Sequence, residues 1–415
     1  MRSFSIWARA LVLSRTVVES VWFDESAQVW IFGVRPYRGW QLRCPRCRRS
    51  CPRYDNGAGR RRWRALDVGA CRAFVQADAP RVRCGEHGVV VAAVPWARHD
   101  AGHTRAFDDQ VAWLVRRTSK AAVAYLLQIS WRTVGAIVAR VVADADAAAG
   151  DRLGAITRIG IDEVSYKRGH KYLTVVVDHD TGQLLWIAEG RDKKTLAAFF
   201  DTLGEARCAQ IALVSADGAD WIADMVALRC PNARMCMDPF HVVVWVQHAL
   251  DLVRRQVWNT LRRTKGSSEQ ARAVSRSRFA LWRNPEDLTD KQQAKLGWIA
   301  ETNAPLYHAY LLKEELRQVF APGGAERVTR LDLWLDQAAD SGLEPFTDLA
   351  RRMHRYRDDI ANALTHKLSN ARVEALNTKI RLLTRIAFGF KSAAALIALV
   401  RLHLCGYDLD LPGRT

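Results

Sequence analysis

No apolar run in this 415-residue chain approaches the roughly 20 residues of a membrane-spanning helix, which excludes such a span. The opening MRSFSIWARALVLSR is too short and too broken by Arg for a secretory signal. It reads either as a weak amphipathic targeting segment or as chain whose Trp7, Leu11 and Leu13 pack on the domain that follows. Low-complexity tracts and internal repeats are missing too. Acid is scarce: 62 Lys and Arg face 44 Asp and Glu, giving +18 and a pI near 9.9. Residues 1–100 alone hold 18 basic and 8 acidic side chains, over half of that excess. Such a field favours a polyanion, nucleic acid first and an anionic membrane surface second. A hydrophobic share of 49% with 26% charged residues excludes disorder. Without an export signal, the nine cysteines point to a reducing, cytoplasmic setting, where thiols bind metal or fill cores.

The pattern along the chain predicts several domains. A β-hairpin is expected in residues 1–40, with VVESVWF and VWIFGVRPY as its strands. A Cys- and Arg-rich module spans 41–100, and a helical region 104–150 ends in DADAAAGDRLG, read as a linker. From 155 to 250 three strands (TRIGIDEV, KYLTVVVDHD, QLLWIAEG) precede helix, strand, helix, strand and a long helix from Phe240. By analogy of topology, this order matches a ribonuclease-H-like mixed sheet in a multidomain α/β chain. Residues 251–368 read as an all-helical insertion with breaks at Lys265-Gly266-Ser267-Ser268, Asn284-Pro285 and Pro322-Gly323-Gly324. Two last helices return to the core in 369–408.

Two motifs stand before the sheet. Cys44-Pro45-Arg46-Cys47 and Cys84-Gly85-Glu86-His87 are paired knuckles, enough to close one tetrahedral, structural Zn2+ site from Cys44, Cys47, Cys84 and His87. Cys51 and Cys71 are spare, and either could replace His87; unligated core thiols or a redox pair are the plainer alternatives. Ser119–Leu127, a Gln128-Ile129-Ser130 turn and Trp131–Arg140 read as a helix-turn-helix, with Ser130 capping the second helix. Lys120, Trp131, Arg132 and Thr133 would then contact DNA, although an ordinary helical hairpin has the same pattern.

The chemistry falls to acids. Asp162 interrupts the apolar strand IGIDE, where a carboxylate is costly unless paired or metal-bound. Asp217 ends the fourth strand, and a ribonuclease-H-like sheet would place it beside Asp162. In SNARVEALNTKIRLLTRIAFGF, Val373, Leu376, Ile380 and Leu383 form an apolar stripe, leaving Glu374, Thr378, Arg381 and Arg385 on the other side. Glu374 could point at the aspartates while Arg381 and Arg385 hold phosphates. Three carboxylates suit two Mg2+ or Mn2+ ions acting on a phosphodiester. Asp238 competes with Asp217 for the second position; Asp238 and His241 are expected to support the site from its rim.

These features together resemble the ISL-three family of bacterial insertion-sequence transposases, through the knuckles, IGIDEVSYKRGHKYLTVVVD, PNARMCMDPFHVV and VEALNTKIRLLTRIAFGFKS. The resemblance covers nearly the whole chain. It implies Asp-Asp-Glu catalysis by Asp162, Asp217 and Glu374 and binding of terminal inverted repeats by the N-terminal modules. It also implies DNA cleavage and strand transfer, target DNA as a second partner, and a dimer or larger synaptic assembly. His87 departs from the family pattern, which has a second cysteine there. A DNA-binding regulator with a scaffolding α/β domain and a ribonuclease-H-like nuclease that cuts without joining are the alternatives.

Overall fold

The computed structural model describes residues 3–321 and 326–414, so the break expected at Pro322-Gly323-Gly324 lies outside the described residues. The chain divides into two compact units, Met1–Gly150 with Leu383–Thr415, and Asp151–Leu382.

In the first unit helix α1 (Ser3–Ala10) precedes strands β1 (Thr16–Asp24) and β2 (Val29–Pro36), the antiparallel hairpin expected from the alternation. Strands β3 (Arg53–Asp55), β4 (Arg60–Val68), β5 (Cys71–Asp78), β6 (Arg81–Cys84) and β7 (Gly88–Val91) follow. They divide between two sheets. The hairpin is not a separate segment: β5 pairs parallel to β2 and antiparallel to β4, giving the order β1-β2-β5-β4. A lone two-stranded hairpin is marginal in water. Here Phe32 and Val34 share a core with Trp63, Ala73, Val75 and Trp96, and Trp7 of α1 packs on Phe32 at 5.2 Å between rings. The remaining strands form a small sheet, β3-β6-β7, that carries the second knuckle.

Helices α2 (Arg105–Val115), α3 (Lys120–Leu127) and α4 (Trp131–Ala148) come next. The stretch read as a linker is helical through Ala148 because its acids have partners. Asp144 accepts from Arg98 at 2.7 Å and Arg105 at 3.0 Å, and Asp146 pairs with Arg401 and with the Tyr407 hydroxyl.

In the second unit β8 (Arg158–Lys167), β9 (Lys171–Asp178) and β10 (Leu184–Glu189) run antiparallel. Helices α5 (Lys193–Leu203) and α6 (Glu205–Cys208) lead to β11 (Leu213–Ala216), and α7 (Asp220–Arg229) leads to β12 (Arg234–Met237). The sheet order is β10-β9-β8-β11-β12, with β11 parallel to both neighbours. One face buries Ile159, Ile161 and Val214 against Leu196, Phe199, Phe200, Ile222 and Val226.

Beyond β12 the described chain is helical. Helix α8 (Pro239–Arg263) buries Val242, Val246, Ala249, Leu250 and Val253, a helical stripe. Helices α9 to α15 (Ser268–Ser275, Arg278–Trp282, Asp290–Thr302, Ala304–Phe320, Arg327–Ala339, Glu344–Arg355 and Arg357–His366) complete that core through Leu306, Tyr310, Trp334, Phe346 and Met353. Helix α16 (Ala371–Ile386) follows. The last helix, α17 (Ala393–Leu404), was expected in the catalytic core; it packs on α4 in the first unit instead. Its apolar positions, Leu396, Leu399, Val400 and Leu402, are buried there, and Arg116 donates to the Tyr407 carbonyl at 3.0 Å.

Candidate active site and metal clusters

The knuckles converge. One ligand atom from each of Cys44, Cys47, Cys84 and His87 lies within 4.8 Å of all the others. Cys47 and Cys84 sulfurs are 3.7 Å apart, and His87 Nδ1 is 3.7 Å from Cys44 Sγ and 3.6 Å from Cys84 Sγ. Zn–S bonds of about 2.3 Å and Zn–N bonds of about 2.0–2.1 Å make a tetrahedron with edges of about 3.8 and 3.6 Å. The spacing therefore fits a closed structural zinc site with Nδ1 as the imidazole ligand. Cys71 lies on β5 in the other sheet. Cys51 is buried beside the cluster but outside the four, its thiol directed at the Arg49 carbonyl. Local backbone explains the turn: Arg48 is left-handed (φ 59°), and its N–H reaches the Cys44 carbonyl at 3.0 Å.

Helices α3 and α4 meet at 107°, the angle of a helix-turn-helix. Gln128 supplies the left-handed corner (φ 52°), and Ser130 Oγ accepts the Thr133 N–H at 3.0 Å as the cap of α4. Trp131 and Arg132 are exposed at the start of α4. Thr133 is half-buried, its hydroxyl 2.8 Å from that of Ser130. Lys120 departs from expectation. It is buried, with Nζ 5.1 Å from the Trp131 ring centre and 5.5 Å from that of Phe390. Its ammonium lies over aromatic faces, a position unsuited to a phosphate.

In the second unit the strand register builds the acidic site. Ser215 of β11 pairs with Gly160 of β8. Two residues further, on the same face by strand alternation, come Asp217 and Asp162. A Cβ on Gly160 would stand 2.4 Å from Val373 Cγ2, so only glycine lets α16 cross the sheet this closely. Gly218, at φ 81°, lets the chain turn away after Asp217; a Cβ there would meet Met237 at 2.7 Å.

Helix α16 is wired into this face. Asn377 is buried, and its amide donates to Asp162 Oδ2 at 2.8 Å. Ser215 Oγ bonds to Asn370 Oδ1 and lies 2.7 Å from His179 Nε2. Asp238, 2% exposed, accepts the Asn370 backbone N–H at 3.2 Å and lies 3.1 Å from His241 Nδ1. It therefore stands behind the site, with His241, whose pKa is raised by that bond.

One carboxylate oxygen from each of Asp162, Glu163 and Asp217 lies within 4.8 Å of the others. Burial pushes Asp162 up to about 6, and the neighbouring Asp217 adds to the rise. Glu163 is raised for the same two reasons, although Arg191 Nε is 3.1 Å from its Oε1. Asp217 Oδ1 is buried with no hydrogen-bond partner. Crowded carboxylates with an unsatisfied inward oxygen form an all-oxygen set, which fits a hard divalent cation. Glu374 is outside this group, exposed on α16 one turn before Asn377. Arg381 and Arg385 are exposed on the same helix, and the charge of Arg381 acts on Asp162.

A family model described as a transposase matches residues 159–400, more than half of the chain. The helix-turn-helix domain of transposase family ISL3 matches residues 92–142, and the zinc-finger of transposase IS204/IS1001/IS1096/IS1165 matches residues 40–87. The chain is 53% identical over 438 residues to the transposase for insertion sequence element IS1557 of Mycobacterium tuberculosis strains CDC 1551 and H37Rv, covering 100% of this chain and 98% of that protein. It is 28% identical over 354 residues to the transposase for insertion sequence element IS1001 of Bordetella parapertussis, covering 84% and 85%.

The chain belongs to the ISL3 family of transposases. Two residues of this ISL3 transposase escaped the reading of its acids. Glu163 adjoins Asp162, and a period of two sends neighbours to opposite faces, yet the longer side chain reaches the cluster. Asn377 sits three residues after Glu374 and was visible in the Glu-x-x-Asn spacing, but an amide carries no charge signal.

Proposed function

We propose that this transposase recognises the terminal inverted repeats of an insertion sequence and cuts and joins DNA at Asp162, Asp217 and Glu374 in the presence of two Mg2+ or Mn2+ ions. The observation that carries this reading is the meeting of Asp162 and Asp217, with Glu163, around an unsatisfied buried oxygen of Asp217. The five-strand order further supports reading the sheet as ribonuclease-H-like, with α9 to α15 as an insertion ahead of the helix that bears Glu374.

Asp162 and Asp217 would hold the cations against the scissile phosphate. Divalent cations held there would supply activation of a water or 3′-hydroxyl and offset of charge on the leaving oxygen. Asn377 fixes the Asp162 carboxylate, and the Asp238–His241 pair braces α16 and the end of the sheet. Glu374, exposed one turn from Asn377, would complete the set by turning inward. Arg381 and Arg385 would steady the DNA backbone. The zinc ribbon and the exposed start of α4, with Trp131, Arg132 and Thr133, would hold the repeat. Because two ends must be cut together, a homodimer or larger synaptic assembly is part of this reading. The nine cysteines suit a reducing cytoplasm.

The test is Mg2+-dependent cleavage of the element's own ends by the parent, Asp162→Ala and Glu374→Ala. Both variants should bind the ends and fail to cut them. Full cutting by either would remove that residue from the catalytic set. Joining of a pre-cleaved end to target DNA separates a transposase from a nuclease.

A further inference from the structure

The turn between α16 and α17 holds a side chain that folding does not explain. Phe388 is 100% exposed, while Phe390, two residues on, is buried at 6%. Phe388 is left-handed (φ 53°), as is Gly389 (φ 94°). Asn or Gly suits the first of these positions, and a bulky aromatic is disfavoured there. The turn is held from both sides. Ala387 N–H bonds to the Leu383 carbonyl at 3.2 Å and Gly389 N–H to the Thr384 carbonyl at 2.9 Å, while Ser392 caps α17. A ring in full contact with water is therefore presented by a fixed backbone.

Its surroundings indicate what it meets. Phe390 anchors the turn against Lys120, whose ammonium also lies over Trp131, so the turn sits beside the first residue of α4. Arg385 and Lys391 flank it as exposed cations, and Arg132 is exposed at the start of α4. An apolar ring with cations three residues to either side along the chain complements a polyanion that presents flat apolar faces within it. DNA has that chemistry: phosphates outside and stacked bases inside.

We propose that Phe388 stacks on a base of the bound DNA end, unstacking one step beside the segment read by the helix-turn-helix. Arg385 and Lys391 would hold the phosphates on either side. Intercalating apolar side chains and aromatic stacking platforms act on nucleic acid in this way. The inference rests on the reading above that this unit binds the terminal repeats.

The experiment uses the full chain and duplexes of its terminal repeat carrying 2-aminopurine, moved one position at a time. Phe388→Asn removes the ring and keeps a residue that tolerates the left-handed turn; Phe388→Trp restores a stacking surface. At saturating protein, one position should brighten severalfold with the parent and with Phe388→Trp and stay dark with Phe388→Asn. Affinity of the Asn variant should fall about tenfold. Brightening that survives in Phe388→Asn, or bound parent that brightens no position, overturns the proposal. An Asn variant that changes the assembly size but not the DNA signal overturns it in favour of a contact between copies. Failure of the parent to bind the repeat at all defeats the underlying reading, and the inference with it.

Discussion

Asp162 owes its position to two neighbours that carry no charge. Gly160 lets α16 approach, and Asn377, on that helix, donates to the carboxylate at 2.8 Å. Without this donor the carboxylate keeps, among the described residues, only the Glu163 N–H on Oδ1 at 2.7 Å, and a ligand's hydrogen-bonding partners typically account for about 10–100-fold in metal affinity or activity. Asn377→Ala should raise the Mg2+ concentration needed for half-maximal cleavage within that range, with repeat binding intact; an unchanged Mg2+ requirement would refute the positioning role. On the same face, burial holds His179 down to about 4, with Arg372 and Arg158 adding to the effect. The unfolded chain protonates this imidazole near 6.5 and the folded one resists until about 4, so the unfolded state binds more protons in between. Stability from this group is complete above 6.5 and lost as pH falls towards 4. The half-buried acids Asp162 and Glu163, whose pKa values are raised, act in the opposite direction, so the comparison must isolate the histidine. Between pH 7 and pH 5, urea unfolding should show the parent losing about 2 kcal/mol more than His179→Gln. Equal losses would show that His179 is not held neutral.

The elements differ in how plainly the sequence announces them, and the reason is what each side chain must satisfy. Strands β8 to β12 and their helices were legible because their short apolar runs are bounded by turn residues and alternate with helical periodicity. Strand β4 was not, because RRRWRALDV is rich in Arg; only in the sheet do Trp63 and Ala65 turn inward. The acids at the end of α4 resembled a linker until Arg98, Arg105, Arg401 and Tyr407 arrived from elsewhere in the chain as their partners. Both metal-ligand pairs of the ribbon were legible because two-residue spacers belong to turns, which sequence shows well. The small sheet β3-β6-β7 buries little besides Cys44, Cys51, Val82, Cys84 and Ala92, so a metal held by the knuckles would supply much of its folding free energy. One zinc per chain is expected by atomic absorption. His87→Ala should lower that content and lose the ribbon's ordered amide signals, whereas His87→Cys should retain both. Full zinc in His87→Ala would hand the fourth position to another ligand, with Cys51 the nearest spare thiol.

At the scale of the whole molecule, charge and shape divide the work of holding DNA. An excess of +18 makes long-range attraction to any duplex strong, yet phosphates are the same in every sequence. Discrimination falls to the few side chains that reach base edges, and on the proposed reading these are Trp131 and Arg132, exposed at the start of α4. The two contributions separate under salt. If about six phosphates are neutralised, log affinity should fall against log salt with a slope near −5 on both repeat and random duplexes. The gap between the two lines is then the sequence-reading part. Arg132→Ala should narrow that gap by about tenfold or more and leave the slope on random DNA almost unchanged. If the variant lowers both lines equally, Arg132 contacts backbone only, and recognition of the repeat belongs to another surface.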